Sequence, residues 1–390
     1  MNRRHFLALA ATSALAAEPA TPALRVAIAG HTGKGNFGHG VDAFWKKLPG
    51  VQVVGVSDPD ETGRAKPLTL YPGVEGFADY REMFAKVKPD IVAICPRFLG
   101  EHHAMTMAAI EAGARGIYME KPFVQTLAQA DEAIAAAAKK NVQIAIAHRG
   151  RYNPQLAAVD TLIKAGAIGR ILEIRARGKE DARGGAEDLW VLGSHVLNLV
   201  AYFGGRPRAC TGLLFQGDRP AARDDVREGA EDIGPIAGNA VRACFEMERG
   251  FPASFDSVQG AGDKSSGFGF QIIGTKGLID FRMDNIPLAH LVPGSPMTPT
   301  QTPRPWIPIT TAGPGEPEPI AGLKEEVMSH LAGGRDLLAA MRENRPPLCS
   351  AQDGRDIIEM IFAVFASHLQ NGARIAFPIA AKKNPLSGWK

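Results

Sequence analysis

From residue 24 onward, short apolar runs alternate with longer stretches whose apolar residues recur at helical spacing. The runs are Leu24–Ala29, Val51–Val56, Asp90–Cys95, Gly116–Met119 and Gln143–Ala147. They are near-continuously apolar and too short for helices, as strands buried on both faces are. Between them, Val41–Lys47, Tyr80–Lys86, His102–Ala112 and the alanine-rich Leu127–Lys140 read as helices. This alternation predicts an α/β unit with a doubly wound parallel sheet over residues 23–150.

The rhythm changes after about Arg151. A helix over Asn153–Ala165 ends at Gly166. Strand-like segments then follow at Ile171–Gly178, Arg208–Gln216, Ala240–Met247, Pro252–Val258 and Phe268–Phe281, with no helical pattern read between them. Turns at Gly205-Arg206-Pro207 and Glu248-Arg249-Gly250 punctuate them. Strands without crossover helices predict a large, mostly antiparallel sheet, so residues 151–390 read as an α+β domain. Pro293–Pro319 reads as an extended excursion. Helical patterns return at Leu323–Glu343 and Gly354–Gln370 and are expected to pack back.

Composition narrows the class. The 44 Lys and Arg against 41 Asp and Glu are well mixed, and no basic stripe interleaves with aromatics, which argues against nucleic acid. Cys95, Cys210, Cys244 and Cys349 lie far apart with no CxxC pair, so neither a disulfide framework nor a zinc site is expected.

Candidate chemistry starts at Gly30-His31-Thr32-Gly33-Lys34-Gly35-Asn36-Phe37-Gly38, directly after the first strand. Glycines there let backbone approach a pyrophosphate at a helix N-terminus. Gly33 to Gly38 spells GxGxxG. It starts three residues beyond the usual strand edge, and Thr32 stands where a direct register would want glycine. Asp58 ends the second strand, where an acid binds a ribose hydroxyl and favours NAD, with NADP possible. The alternative is a glycine-rich turn plus an Asx turn at Asp58-Pro59, with the fold but no cofactor. Pro96, Arg97, His102 and His103 follow the strand at Asp90–Cys95 on the same sheet edge. His148, Arg149 and Arg151 are similarly placed after Gln143–Ala147.

Glu120-Lys121-Pro122, coming straight off Gly116–Met119, carries a family likeness. So do Pro89-Asp90-Ile91-Val92-Ala93-Ile94-Cys95-Pro96, the Ala108–Gly113 stretch, Gly166-Ala167-Ile168-Gly169 and Ile273-Gly274-Thr275-Lys276-Gly277. On these motifs the chain resembles the glucose–fructose oxidoreductase / inositol dehydrogenase (Gfo/Idh/MocA) family. The resemblance implies a Rossmann domain followed by an α+β domain whose open sheet often forms a homo-oligomer interface. It also implies hydride transfer at a carbon of a small carbohydrate or polyol. The family's lysine, carried over, is Lys121, near nicotinamide and reacting hydroxyl, with Glu120 beside the cofactor. A lysine at the carboxyl edge of a parallel sheet independently points into the ligand crevice, where it stabilises alkoxide charge. A surface ion pair of Glu120 with Lys121 is the plainer alternative.

The family's second signature, D-x-G-x-H on a helix of the second domain, aligns with Val191-Leu192-Gly193-Ser194-His195, followed by Asn198. His195 fits the general acid/base, although its usual aspartate is Val191. A buried structural histidine is the other reading. Nearby lie Arg175, Arg177, Lys179, Glu180, Asp181, Arg183, Glu187, Asp188 and Trp190. On a strand, Arg175, Arg177 and Lys179 share one face, suiting a substrate with a carboxylate, sulfate or phosphate. Arg151, Arg177, Lys179, Glu180, Asp188 and Trp190 are the substrate candidates. A divalent metal held by the acids with His195, or a solvated loop, would explain the same residues; no metal ligand is assigned.

The first residues, Asn2-Arg3-Arg4-His5-Phe6-Leu7, lead into an apolar run, Ala8–Ala17, with small residues at Ala14 and Ala16. They read as a twin-arginine leader over residues 1–17, handled by the twin-arginine translocase and giving a periplasmic or otherwise exported protein. The run is too short to span a bilayer, and no later segment is long enough. Little free NAD(P) exists outside the cytoplasm, so such an enzyme is expected to retain and recycle its cofactor. The leading expectation is an exported oxidoreductase of sugars, glycosides or polyols. A redox-neutral NAD-dependent glycosidase or lyase, a non-catalytic carbohydrate-binding relative and a metal-dependent enzyme without NAD stand as alternatives.

Overall fold

The computed structural model describes residues 22–262 and 268–389; the leader motif lies outside them. Strands β1 (Leu24–Ala29), β2 (Val51–Ser57), β3 (Gly76–Phe77), β4 (Ile91–Ile94), β5 (Gly116–Met119) and β6 (Gln143–Ile146) form a sheet in the order β3-β2-β1-β4-β5-β6. Every pairing in it is parallel. The order reverses beside β1, opening a crevice at the carboxyl ends of β1 and β4, where doubly wound sheets bind ligands.

Helices α1 (Glu61–Leu70), α2 (Tyr80–Val87), α3 (Leu99–Glu111) and α4 (Leu127–Lys140) connect the strands. In α4, Leu127, Ala130, Ala133 and Ala137 bury one stripe, Thr126 caps the first turn through Gln129 N, and Asn141 closes the last turn in the left-handed region. α1 and β3 were not foreseen. α1 is weakly amphipathic and contains Pro67, and its clearest sequence signal is the Asp60 cap.

The helix expected over Val41–Lys47 is reduced to a 3-10 turn at Phe44–Lys47. Gly33, Gly35, Gly38 and Gly40 all have positive φ, and Pro49-Gly50 follows closely, so the chain has no room to propagate an α-helix.

Beyond α5 (Gln155–Lys164) the chain builds an 11-stranded sheet with β7 (Ile171–Arg177) near its centre and β8 (Pro207–Gln216) toward one edge. It is mostly antiparallel. The exception pairs β7 parallel to Pro252–Val258, because α6 (Ala186–Val191) and α7 (Gly193–Gly204) intervene after β7, contrary to the helix-free run expected there. The Phe268–Phe281 segment is a hairpin of Gly269–Gly274 and Gly277–Arg282. The Pro293–Pro319 excursion adds short edge strands at Ile307–Thr310 and Gly313–Pro314.

The C-terminal helices α8 (Leu323–Met328), α9 (Leu331–Glu343) and α10 (Ala351–His368) return to the first domain. α9 packs on β5 and β6, while α10 lies between β8 and α4. α10 is apolar around most of its circumference, as a helix buried on both sides must be. One continuous core therefore joins the two sheets, and Phe44, Trp45, Leu331 and Leu337 belong to a second core on the first sheet.

Candidate active site

The glycine-rich segment folds as a tight excursion from β1. His31 N donates to Asn36 O at 3.1 Å, and Gly33 N donates to Asn36 Oδ1 at 3.2 Å. Gly35 rests on Arg97, where an added Cβ would come within 2.6 Å of backbone; Gly38 similarly meets Cys95 O and Glu120. Phe37 folds its ring over Gly30. Thr32, at the irregular position, donates its N and its Oγ1 to the Asp58 carboxylate at 2.8 and 2.9 Å, and Asp60 N adds a further donor at 2.9 Å. Asp58 is fully buried and pins the loop to the end of β2.

The edge suits a dinucleotide. Close-packed glycines leave backbone exposed to a phosphate, Lys34 and Arg97 supply positive charge, and the buried Ser57 Oγ and Arg97 Nε have no hydrogen-bond partner among the described residues.

A loop of the second domain closes one side of this edge. Glu231 and Asp232, both with positive φ, reach across so that Lys34 Nζ meets Asp232 Oδ2 at 3.2 Å and Arg97 Nε lies 3.6 Å from Glu231 Oε1. Gln125 Nε2 donates to Asp232 O at 2.7 Å.

Next to the edge lies a cavity of about 210 Å³ that Lys121, His195, Glu120 and His39 help to line. Lys121 leaves β5 buried, and its Nζ donates to Val191 O at 2.9 Å. Burial lowers its pKa, Glu120 and Glu231 oppose that shift, and Arg183 and Arg149 reinforce it. Burial alone would raise the pKa of Glu120, but hydrogen bonds from His39 and the nearby positive charges hold it well below the usual carboxylate range. His39 donates to Glu120 Oε1 from Nδ1 at 2.6 Å and from its backbone N at 2.8 Å.

His195 projects from α7 and meets His148, which follows β6, Nδ1 to Nδ1 at 3.2 Å with the rings perpendicular. Burial, and then the charge of Lys121, pushes His195 well below the usual imidazole range and His148 down to about 3. Both rings are therefore neutral near pH 7, and one Nδ1 donates while the other accepts. The Lys121–Val191 bond shows where acceptor character survives at the departed aspartate position. The side chain is apolar, yet its carbonyl still holds the lysine.

Arg149, Lys179, Arg183, Asp284 and His330 complete the wall. His330 Nε2 donates to His39 O at 3.2 Å, and Tyr118 OH donates to its Nδ1 at 3.1 Å. Arg149, expected at the carboxyl edge after β6, and Arg183, named in the charged stretch, do reach the cavity, whereas Asp284 and His330 had no local motif. Asp284 and His330 lie more than 130 residues beyond β6, and only tertiary packing brings them in.

Several expected residues do not reach the cavity. Arg177 forms a two-pronged pair with Glu180 at 2.7 and 3.0 Å, on the open face of the large sheet. Glu180 is buried and also accepts from Val258 N. The strand ends at Arg177, so the alternation that grouped Arg177 with Lys179 stops there, and Lys179 turns into the cavity instead. Asp188 is buried, accepting from Ser257 Oγ at 2.6 Å and Glu180 N at 3.0 Å. Trp190 packs edge-on against Phe362 in the core. Arg151 pairs with Asp353 and stacks on Tyr202.

The His102 side chain, expected at the cofactor, does not open on the crevice. It is fully enclosed, with Nδ1 on Pro122 O and Phe123 O and Nε2 on Pro96 O, bracing the strand ends. His103 pairs with Glu132. Among the described residues, no three His, Cys, Asp or Glu side chains are grouped to hold a metal. A larger cavity of about 450 Å³ elsewhere is lined by charges already paired with each other, such as Arg206 with Asp356 and Arg355 with Glu359.

A glycine-rich loop at the switch point of a parallel sheet, with a buried lysine and a histidine facing one cavity beside it, defines a dinucleotide-dependent oxidoreductase. Comparison with known proteins agrees. Residues 24–148 match the model of the Gfo/Idh/MocA oxidoreductase family with its NAD-binding Rossmann fold.

The chain is 25% identical over 268 residues to levoglucosan dehydrogenase of Pseudarthrobacter phenanthrenivorans, covering 62% of this chain and 67% of that one. It is 29% identical over 123 residues to the NADP-dependent scyllo-inositol 2-dehydrogenase of Bacillus subtilis, covering 29% of this chain and 34% of that enzyme. The fold superposes on a levoglucosan dehydrogenase solved with NADH and levoglucosan at a TM-score of 0.68 and 20% identity, covering 91% of this chain and 99% of that one.

Proposed function

We propose that the protein oxidises a hydroxyl of a sugar, glycoside or polyol, holds its nicotinamide cofactor between turnovers, and returns the hydride to the oxidised intermediate or to a second substrate. The observation that carries this reading is that Lys121 and His195 reach one cavity at the carboxyl edge of the nucleotide-binding sheet. The names of the levoglucosan and inositol dehydrogenase relatives support a carbohydrate substrate.

The Gly33–Gly38 backbone, Lys34 and Arg97 would hold the dinucleotide phosphates, with Asp58 fixing the loop. Bound there, the cofactor supplies the hydride acceptor. Neutral His195 takes the hydroxyl proton, and His148 fixes the orientation and tautomer of its ring. Lys121, steered by the Val191 carbonyl, donates to the oxygen as negative charge develops on it. Glu120 counters the lysine charge, and His39 keeps Glu120 ionised.

The Arg3-Arg4 leader supports export through the twin-arginine pathway, and export supports retention, because a released cofactor would not be replaced outside the cytoplasm. The open face of the large sheet is the surface we assign to self-association. The test is acid release of nucleotide from freshly purified protein, followed by addition of glycosides and polyols. Near-stoichiometric NAD(H) whose reduction state responds to a sugar supports the reading. Protein that carries no nucleotide and binds none when it is added overturns it.

A further inference from the structure

The cavity holds more positive than negative charge. Lys121, Arg149, Lys179 and Arg183 line it against only Glu120 and Asp284, and both acids are engaged. Glu120 accepts from His39, and Asp284 accepts from Arg149 Nη2 at 3.1 Å. Arg149 is spent, since its Nη1 also donates to Met328 O at 3.0 Å. Lys121 is committed to Val191 O and the reacting centre.

Lys179 and Arg183 differ from these two. Lys179 is exposed to the cavity and has no hydrogen-bond or ion-pair partner among the described residues. Arg183 points Nε and Nη2 at Asp181, at 3.1 and 2.6 Å, and leaves Nη1 without a partner among those residues. The two cations belong to one segment, which leaves β7 at Gly178. An added Cβ at Gly178 would lie 1.9 Å from Asp188 Oδ2 and 3.0 Å from Ser257 Oγ, so the chain turns tightly there, with Glu180 in the left-handed region. The turn aims these cations at the cavity and leaves Arg175 and Arg177 on the opposite surface. The surplus charge is also felt at the reacting groups, since Arg149 and Arg183 depress Lys121, and Lys121 and Arg149 depress His195. Cations facing one small cavity repel one another, and an anion seated between them relieves that repulsion.

We infer that the carbohydrate carries an anionic substituent, with a carboxylate as the expected one, and that Lys179 and Arg183 receive it while Lys121 and His195 address the hydroxyl. The inference rests on the oxidoreductase reading above and names the substrate class of the same cavity. Arg183 offers a planar donor edge and Lys179 a point charge, a pair that suits a carboxylate and also accepts a sulfate ester. A neutral sugar would leave both heads to water.

The experiment uses the purified holoprotein with its bound nucleotide and follows nicotinamide reduction in single turnover. The probes are glucuronate glycosides, the matching glucosides and the matching 6-sulfated glucosides. The expected result is a second-order rate constant of reduction at least tenfold higher for the uronate than for the neutral glycoside. In Lys179→Met and Arg183→Met that ratio should fall toward one, with nucleotide content unchanged as the control for folding. A sulfated sugar preferred over the uronate keeps the anion site and replaces the carboxylate. Equal or better turnover of the neutral glycoside overturns the inference and leaves the oxidoreductase reading standing. Reduction by none of the sugars strikes at that reading itself.

Discussion

The Lys121 ammonium donates to the carbonyl oxygen of Val191 at 2.9 Å, across the interface between the two domains. An apolar position thus supplies an acceptor from its main chain, and the buried lysine is aimed without a second carboxylate. Lys121→Met keeps the length of the side chain and removes the donor. Turnover should fall by about 10²–10³-fold, the usual cost of losing one donor to a developing oxyanion. Bound nucleotide should persist, as measured by acid release.

His148 takes up the orienting role beside His195. His148→Leu should cost about tenfold in kcat, the worth of roughly one hydrogen bond of ~1.4 kcal/mol. His148→Asn, which can still hydrogen-bond, should recover part of that loss. A merely structural role would lower thermal stability in both variants without separating their kcat values.

The pH dependence follows from the same pair. The folded pKa values of His148 and His195 lie below the ordinary value of about 6.5. Below that pH the unfolded chain binds protons that the folded protein refuses, so stability is full above about pH 6.5 and declines as pH falls toward the folded pKa of His148, about 3. Thermal melts from pH 8 to pH 4 should show this decline. In His148→Leu it should be shallower.

Thr32 replaces a glycine-like position and satisfies a buried carboxylate. Thr32→Val removes the hydroxyl donor to Asp58 and should cost about 1–3 kcal/mol of stability. It should also weaken nucleotide binding, read by denaturant melts and by titration with NAD.

The Glu231-Asp232 loop grips the nucleotide edge through two partly exposed ion pairs. Pairs of this kind are worth ~0.2–1 kcal/mol each and weaken with salt. Glu231→Gln with Asp232→Asn should speed NADH release by about 2- to 10-fold in stopped flow. The gain should shrink at high ionic strength.

Much of the parallel sheet was legible because buried parallel strands write themselves as continuous apolar runs, and α4 matched its expected ends. The second domain was legible as strands; the start of α7 was placed only by the family likeness at Val191–His195, and α6 was not read at all. Lys121 and His195 stood on motifs. Lys179 was singled out by an alternation that ends with β7 at Arg177, so the residue reached the cavity by a turn the pattern did not contain. Asp284 and His330 arrive from distant elements with no periodic or motif signal. Glu180, Asp188 and Trp190 looked chemical because charge and aromaticity are conspicuous in sequence, yet their partners Val258, Ser257 and Phe362 are remote in it, and Arg177 is taken up by the nearby Glu180.

The most direct test of the central claim is His195→Asn, assayed in parallel for bound nucleotide and for sugar-dependent reduction of that nucleotide. Retention of NAD(H) at wild-type content with turnover reduced by about 10²–10⁴-fold is the expected result for a general base at this position. Unchanged turnover would contradict the assignment of His195 and the proton path built on it.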